Sequence, residues 1–158
     1  MFHVALFEPE IAGNAGNVAR SALAVGATLH LIRPLGFRIS DEAIRRAGMD
    51  YWFEADITLH SSFAAFGEVF ATSFEKNRVF SFTTKATQSY ADAAYQPGDV
   101  LLFGPESRGL PEAVRARTAQ VRIPMRMGAR SLNLSVSVGV ALYEAWRQVG
   151  FNSEFSTK

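Results

Sequence analysis

The 158-residue sequence contains no cysteine, which excludes disulfide bonds, thiolate catalysis and cysteine-ligated zinc or iron–sulfur sites. None of its apolar runs approaches the roughly 20 residues that a membrane-spanning helix needs. The amino terminus has neither the basic segment nor the cleavage site of a secretory signal. These absences predict a cytoplasmic protein that does not enter the membrane.

Several common ligand-binding and catalytic motifs are also missing. The sequence has no G-x-G-x-x-G dinucleotide fingerprint, no G-x-x-x-x-G-K-[ST] phosphate loop and no G-x-S-x-G nucleophile elbow. The three histidines, His3, His30 and His60, lack metal-ligand spacing, so we expect structural roles for them and no bound metal. These observations argue against a hydrolase, a kinase or a zinc enzyme.

Lysine is scarce, since the chain carries three lysines against thirteen arginines. The formal net charge is only +1, but between residues 108 and 130 a single acid, Glu112, stands among six arginines (108, 115, 117, 122, 126 and 130). Arginine binds phosphate bidentately and stacks on bases. The stretch is either a solvated basic face or a surface for an anionic ligand or RNA.

Short apolar runs alternate with helical patterns along the chain, which predicts an α/β fold with a parallel sheet flanked by helices. We predict one domain over residues 1–151 and a flexible tail over residues 152–158. The predicted strands are Phe2–Phe7, Thr28–Ile32, Arg78–Phe82, Val100–Phe103 and Val121–Ile123. The predicted helices are Ala15–Val25, Asp41–Ala47, Phe63–Thr72, Pro111–Arg117 and Leu134–Val149.

Helix-terminating residues support these boundaries. Asn14 and Ser40 suit N-cap positions, and Pro111 suits a first helical turn. Helix ends are predicted at three glycines, Gly26, Gly48 and Gly150.

The last helix carries two apolar faces, one of which includes Val136, Val140 and Tyr143 interleaved with small residues. A helix that is apolar on two sides is buried on two sides. The pattern fits a central core helix and a subunit interface equally well.

Three polar, glycine-bearing segments follow predicted strands, where parallel sheets form their ligand crevice. In the first, Asn14, Asn17 and Arg20 are spaced by three and are expected to share a helix face that suits an anion or a sugar. A helix cap beside a solvated arginine is the alternative for that segment.

The second segment runs from Phe103 to Pro111 and the third from Arg122 to Ala141. In the second, Gly104 would let a ligand approach the backbone, Gly109 would adopt an unusual dihedral angle, and Glu106 would pair with Arg108 to brace the loop. The third suits a pocket for a flat apolar group such as adenine, or a simple capping loop.

Together these segments resemble the three motifs of the SPOUT methyltransferase superfamily. The match is most specific to the TrmL (YibK) type, the tRNA cytidine/uridine 2′-O-methyltransferases of the wobble nucleotide. It covers nearly the whole chain, through LFEPEIAGNAGNVAR, LHLIRPLGF, RRAGMDY, FTTK, FGPESRGLP, RIPM, SLNLS and YEAWRQ. Departures are Ala12 within Ile11-Ala12-Gly13, Leu132 where this group often has methionine, and a short tail.

The resemblance implies a deep C-terminal trefoil knot, which periodicity alone could not indicate, and an obligate homodimer in which each site is completed by the partner. It implies S-adenosylmethionine as cofactor, with binding residues Phe82, Gly104, Ile123, Ser131 and Leu132. Arg20 and Tyr143 match positions that the family uses for catalysis. RNA contacts are assigned to Asn17, Arg108, Arg130 and Asn133.

The activity implied is 2′-O-methylation of nucleotide 34 in the anticodon stem-loop of tRNA-Leu isoacceptors. A guanidinium group is a poor general base, so we prefer Arg20 as a phosphate clamp, with Tyr143 as an alternative proton acceptor. The alternatives are a SPOUT enzyme that acts on ribosomal RNA, a non-catalytic knotted RNA-binding module, and an α/β enzyme for a small nucleotide.

Overall fold

The structure of the protein is a computed structural model that describes residues 1–46 and 50–151. Its strands are β1 (His3–Phe7), β2 (Thr28–Ile32), β3 (Ile57–His60), β4 (Val79–Phe82), β5 (Val100–Phe103) and β6 (Ala119–Val121). Its α-helices are α1 (Ala12–Val25), α2 (Asp41–Arg46), α3 (Phe63–Val69), α4 (Ala71–Glu75), α5 (Glu112–Arg115) and α6 (Leu134–Gln148). Short 3₁₀ turns cover Asp50–Phe53 and Tyr90–Asp92.

The six strands form one sheet in the order β3-β2-β1-β5-β4-β6, and all of its pairs are parallel. The α/β fold with a parallel sheet flanked by helices, predicted from the alternation of strands and helices, is therefore confirmed. The order reverses between β1 and β5, because the chain returns from the β3 edge to build the other half of the sheet. In open parallel sheets the ligand crevice lies at such a switch point, beyond the carboxyl ends of the strands.

Helices cover both faces of the sheet. Because successive strand residues point to opposite sides, each central strand contributes to two cores. Val4 and Leu6 of β1 face the larger core, which α1 and α6 cover. Ala5 and Phe7 face a second core, closed by Phe66 and Phe70 and by Val114 of α5. Buried on both faces, the central strands form near-continuous apolar runs.

The strand predictions hold best in the centre of the sheet. β2 and β5 have the predicted ends, whereas β1 and β4 begin one residue later. The prediction of Val121–Ile123 was wrong, because β6 spans Ala119–Val121 and Arg122 forms only an isolated bridge to Ser89. β3 was not predicted: it is an edge strand whose two middle residues, Thr58 and Leu59, are exposed.

Three helix predictions were also wrong. α1 begins at Ala12, and Asn14 is a buried residue of its first turn rather than the N-cap. The segment predicted as one helix is two, because Phe70 lies between α3 and α4 with ψ near 23°. α5 spans only Glu112–Arg115, with Pro111 at its N-cap.

Other termini follow the prediction. Gly26 ends α1 in the left-handed region with φ +70°, and Gly150 follows α6 with φ +74°. The Ser40 hydroxyl accepts a hydrogen bond from the Ala43 amide at 3.1 Å, as an N-cap should. Gly48 and the predicted tail over 152–158 lie outside the described residues. Within those residues, every helix is too short or too polar to cross a bilayer.

Candidate functional site

A cavity of about 510 Å³ opens at the carboxyl ends of β4 and β5, beside the first turns of α1 and α6. Its wall combines apolar side chains with glycine-containing backbone, the usual character of a pocket for a small organic ligand. All three polar segments contribute to it. The lining residues are Ile11, Asn14, Phe82–Lys85, Phe103–Leu110, Ile123, Met125, Ser131–Leu134 and Ser137.

Glu106 joins the loop after β5 to the start of α1. Its carboxylate accepts hydrogen bonds from the Glu10 amide at 2.8 Å, the Ile11 amide at 3.2 Å and the Asn14 side-chain amide at 3.0 Å. Hydrogen bonds to a carboxylate are charge-assisted, and the negative charge lies at the positive end of the α1 dipole. The expected Glu106–Arg108 pair is therefore wrong, because Glu106 braces α1 instead.

Asn14 and Asn133 extend this connection to α6. The Asn133 side-chain amide donates to the Asn14 side-chain oxygen at 3.0 Å. The Asn133 side-chain oxygen in turn accepts from the Ser135 amide at 2.8 Å and caps α6. One chain of hydrogen bonds thus fixes the loop after β5 and the first turns of both helices against one another.

Two residues of the segment after β1, Glu8 and Glu10, hold the same loop. The Glu10 carboxylate accepts from the Ser107 hydroxyl at 2.6 Å and from the Ser107 amide at 2.9 Å. These hydrogen bonds lower the pKa of Glu10, and the hydroxyl has the larger effect of the two. Arg108 forms an ion pair with Glu8. The loop is therefore held at three consecutive residues, 106 to 108.

Gly104 is required by the fold at this point. A Cβ atom built there would lie 2.5 Å from the carbonyl carbon of Gly109 and closer still to the amide nitrogen of Leu110. The predicted reason for this glycine was the approach of a ligand, but the structure shows that backbone occupies the space. Gly109 has φ +68°, as expected for an unusual dihedral angle.

All five residues predicted to bind the cofactor line the cavity: Phe82, Gly104, Ile123, Ser131 and Leu132. The Phe82 ring stacks on Phe103 with centroids 4.6 Å apart and an interplanar angle of 13°. Ser131 and Leu132 lie on the exposed loop before α6, where Leu132 is 41% exposed. The structure thus brings together residues that are up to 50 positions apart in sequence.

The two predicted catalytic residues lie outside this wall. Arg20 and Asn17 are exposed on α1, whereas Asn14 is buried, so these three residues do not share one face as expected. Tyr143 is 45% exposed on α6, and its ring packs edge-on against Trp146.

Of the predicted RNA contacts, Arg108 and Asn133 line the cavity, and both are already bound within the protein, to Glu8 and to Asn14. Arg130 lies exposed on the loop before α6, beside the cavity residue Ser131.

Sequence reasoning missed the bridging role of Glu106 and the presence of Lys85 on the cavity wall. The only local signal for Glu106 was an acid in a glycine-bearing loop, and the nearby Arg108 suggested the wrong partner. Nothing local marked its partners, which lie more than 90 positions away.

The histidines form a row across three strands. The His3 Nδ1 and His30 Nε2 atoms are 3.1 Å apart, and His30 Nδ1 and His60 Nε2 are 3.0 Å apart. Burial lowers the pKa of His30 to about 4. Across the described residues, no group of three or more His, Asp or Glu side chains has the arrangement of a metal site.

Comparison with known proteins identifies the family. The sequence profile of the SpoU rRNA Methylase family matches residues 1–143. The chain belongs to this SpoU methylase family. This match confirms the resemblance to SPOUT methyltransferases.

Relatives of this SpoU methylase are similar over nearly its full length. A Burkholderia pseudomallei (strain 1106a) protein named tRNA (cytidine(34)-2'-O)-methyltransferase is 49% identical over 154 residues, which cover 96% of this chain and 97% of the relative. A solved structure concerned with the 2-OH methylation of C/U34 on tRNA has 55% identity and a TM-score of 0.88, and it covers 95% of this chain and 97% of its own.

A more distant SpoU methyltransferase has been solved with its cofactor. AviRb from Streptomyces viridochromogenes, in complex with AdoMet (S-adenosylmethionine), is 27% identical with a TM-score of 0.80. The match covers 93% of this chain and 57% of AviRb.

Proposed function

We propose that this SpoU methylase transfers a methyl group from S-adenosylmethionine to the ribose 2′-hydroxyl of the wobble nucleotide, position 34, of tRNA, with tRNA-Leu isoacceptors as substrates. The observation that carries the proposal is the match, at 49% identity along 97% of its length, to a protein named for that reaction. The family match over residues 1–143 includes every loop of the cavity. Acting on tRNA, the enzyme would work in the cytoplasm.

The cavity fits the cofactor. Its volume lies within the roughly 300–1,000 Å³ typical of small-molecule pockets, and its apolar wall suits the adenine ring. We place the adenosine moiety against Phe82, Ile123 and Leu132, with backbone contacts at Gly104 and a polar contact from Ser131. The cofactor supplies an electrophilic methyl group on a sulfonium.

The protein must then align the 2′-hydroxyl with the methyl group and assist loss of its proton. Glu106 is the only carboxylate on the described cavity wall, and three donors already occupy its oxygens. We therefore exclude it as the general base. Arg20 remains our preferred clamp for the phosphate and the developing oxyanion, with Tyr143 as the alternative proton acceptor.

Because Arg20 and Tyr143 lie outside the cavity wall of their own chain, we propose that a second copy completes each site. The supporting feature is the exposed apolar face of α6, where Val136 is 51% exposed. A Cβ atom at Gly139 of the same helix would meet no heavy atom within 4 Å, so this surface is open to close packing by another backbone.

Arg130 and Asn17 are the proposed RNA contacts that have no side-chain partner among the described residues. Arg108 and Asn133 would act by shaping the cavity, because Glu8 and Asn14 already bind them. An anticodon loop suits this surface, since its unpaired bases can be turned outward and stacked.

The proposal includes a trefoil knot in the C-terminal part of the chain. It is supported by the contacts of segment 83–99. This segment binds Arg122, which precedes the exposed loop, and Gln148 of α6, which follows that loop. The Tyr90 amide donates to the Arg122 carbonyl at 2.9 Å, and the Tyr95 amide donates to the Gln148 side chain at 3.0 Å.

The test uses radiolabelled S-adenosylmethionine and three RNAs: a tRNA-Leu transcript with C34, the same tRNA with 2′-deoxycytidine at position 34, and ribosomal RNA. We expect label only in the first, because the second lacks the accepting hydroxyl. Label in the deoxy tRNA refutes the position. Label only in ribosomal RNA supports the alternative substrate, and cofactor binding with no label in any RNA supports a non-catalytic module.

A further inference from the structure

The exposed Arg20 side chain lies over an aromatic ring. Its guanidinium carbon lies 5.5 Å from the centroid of the Tyr51 ring. Among the side chains that the structure describes, ion pairs are formed by Arg78, Arg108 and Arg147, and Arg20 has none. An aromatic face, rather than a carboxylate, is thus the contact of this exposed side chain.

Tyr51 is itself held in place. Its carbonyl accepts hydrogen bonds from the Glu54 and Ala55 amides, both at 3.1 Å. Its ring is half-buried against the larger core, and the next residue, Trp52, is buried in that core at 7% exposure. The ring therefore offers a fixed surface beside α1.

We propose that Tyr51 is a positioning residue whose ring face orients the Arg20 guanidinium for methyl transfer. This inference rests on the proposed role of Arg20. A long exposed side chain samples many rotamers, and ordering it during the reaction slows the reaction. A carboxylate could also order Arg20 but would neutralise the charge meant for phosphate, whereas a ring face leaves the N–H donors free.

The first test measures single-turnover methylation at saturating tRNA and cofactor. Tyr51→Leu removes the ring face, and we expect a rate about three- to tenfold lower, because an exposed cation–π contact is weak but misorientation near the reacting atoms is costly. Tyr51→Phe keeps the face and should retain most of the rate. Phe53→Leu, at an aromatic residue that is 54% exposed on the same turn, is the matched control and should match wild type.

Three measurements separate positioning from a structural role. Tyr51→Leu should bind S-adenosylhomocysteine as wild type does. It should also cause no further loss of rate in an Arg20→Ala background, since it acts through Arg20. The third measurement is made on the wild-type protein, so it does not depend on whether a variant folds. The Arg20 Nε–H NMR resonance should show the ring-current shift of a neighbouring aromatic face. This resonance is assigned by its loss in Arg20→Lys.

The outcomes distinguish the two hypotheses. A wild-type rate for Tyr51→Leu beside a slow Arg20→Ala overturns the role of Tyr51 and leaves that of Arg20 intact. A wild-type rate for Arg20→Ala overturns the role of Arg20 and this inference with it. Additive losses in the double variant, or an unshifted Arg20 resonance, overturn positioning by Tyr51.

Discussion

We expect the histidine row to make the free energy of unfolding depend on pH between about 4 and 6.5. His30 is 5% exposed, and its ring packs edge-on against the Phe70 ring with the two centroids 5.0 Å apart. Burial, followed by the charges of His3 and His60, lowers its pKa from 6.5 to about 4, against a smaller opposing effect of Asp56. The pKa values of His3 and His60 are also lowered, mainly by burial.

The sign follows from proton uptake. Below pH 6.5 the unfolded chain protonates His30 while the folded chain does not, so falling pH stabilises the unfolded state relative to the folded state. The stability is therefore fully present above pH 6.5 and is lost as pH falls towards 4. At about 1.4 kcal/mol per pKa unit, His30 should cost on the order of 2 kcal/mol between pH 7 and pH 5.

Urea unfolding followed by tryptophan fluorescence measures this loss, at one fixed protein concentration because the stability of the proposed dimer would depend on that concentration. His30→Gln keeps a polar side chain but cannot titrate, so its stability should change less between pH 7 and pH 5 than that of wild type. Glu10 and Glu144, whose pKa values are lowered, reduce stability mainly as pH falls below about 4.5, which lies outside this range. Equal pH dependence in both proteins, or wild-type stability constant within about 0.5 kcal/mol, would refute the reasoning.

Three other substitutions test the site and its assembly. Glu106→Gln replaces one acceptor oxygen with an NH2 donor, so at least one of the three donors to the carboxylate loses its acceptor. It should cost about 1–3 kcal/mol of unfolding free energy and weaken S-adenosylhomocysteine binding in calorimetry; unchanged affinity would contradict the bracing role. Gly104→Ala should abolish S-adenosylhomocysteine binding by displacing the loop. The control Gly13→Ala should not, because its new Cβ atom meets nothing within 4 Å, and equal effects of the two variants would disprove the steric argument. Val136→Asp should yield monomers in analytical ultracentrifugation and Val69→Asp, at a position 66% exposed on α3, should not; a dimer in both would place the interface elsewhere.

The elements that could be predicted from the sequence are those whose residues are buried by local pattern. β2 and β5 are short apolar runs buried along their whole length, and their ends were predicted to the residue. β3 could not be found this way, because an edge strand whose two middle residues, Thr58 and Leu59, are exposed has no continuous buried apolar run. The start of α1 was misplaced because the acid beside it, Glu106, comes from another part of the chain.

The candidate site was predictable as a set of residues but not as a set of roles. The three polar segments meet because parallel strands end at the same edge of the sheet. That rule says nothing about which polar groups will satisfy one another. Residues chosen for contact with RNA, such as Asn133 and Arg108, proved to have partners within the protein.

This internal satisfaction has a consequence for recognition. Asn14, Glu106 and Asn133 bind one another and the helix starts, so little of their hydrogen-bonding capacity is left for a ligand. Backbone groups and apolar side chains must then provide most contacts to the cofactor. Such contacts depend on the position of the loops more than on side-chain chemistry. A substitution at Glu106 should therefore weaken cofactor binding without touching the cofactor, by letting the loop and α1 move apart.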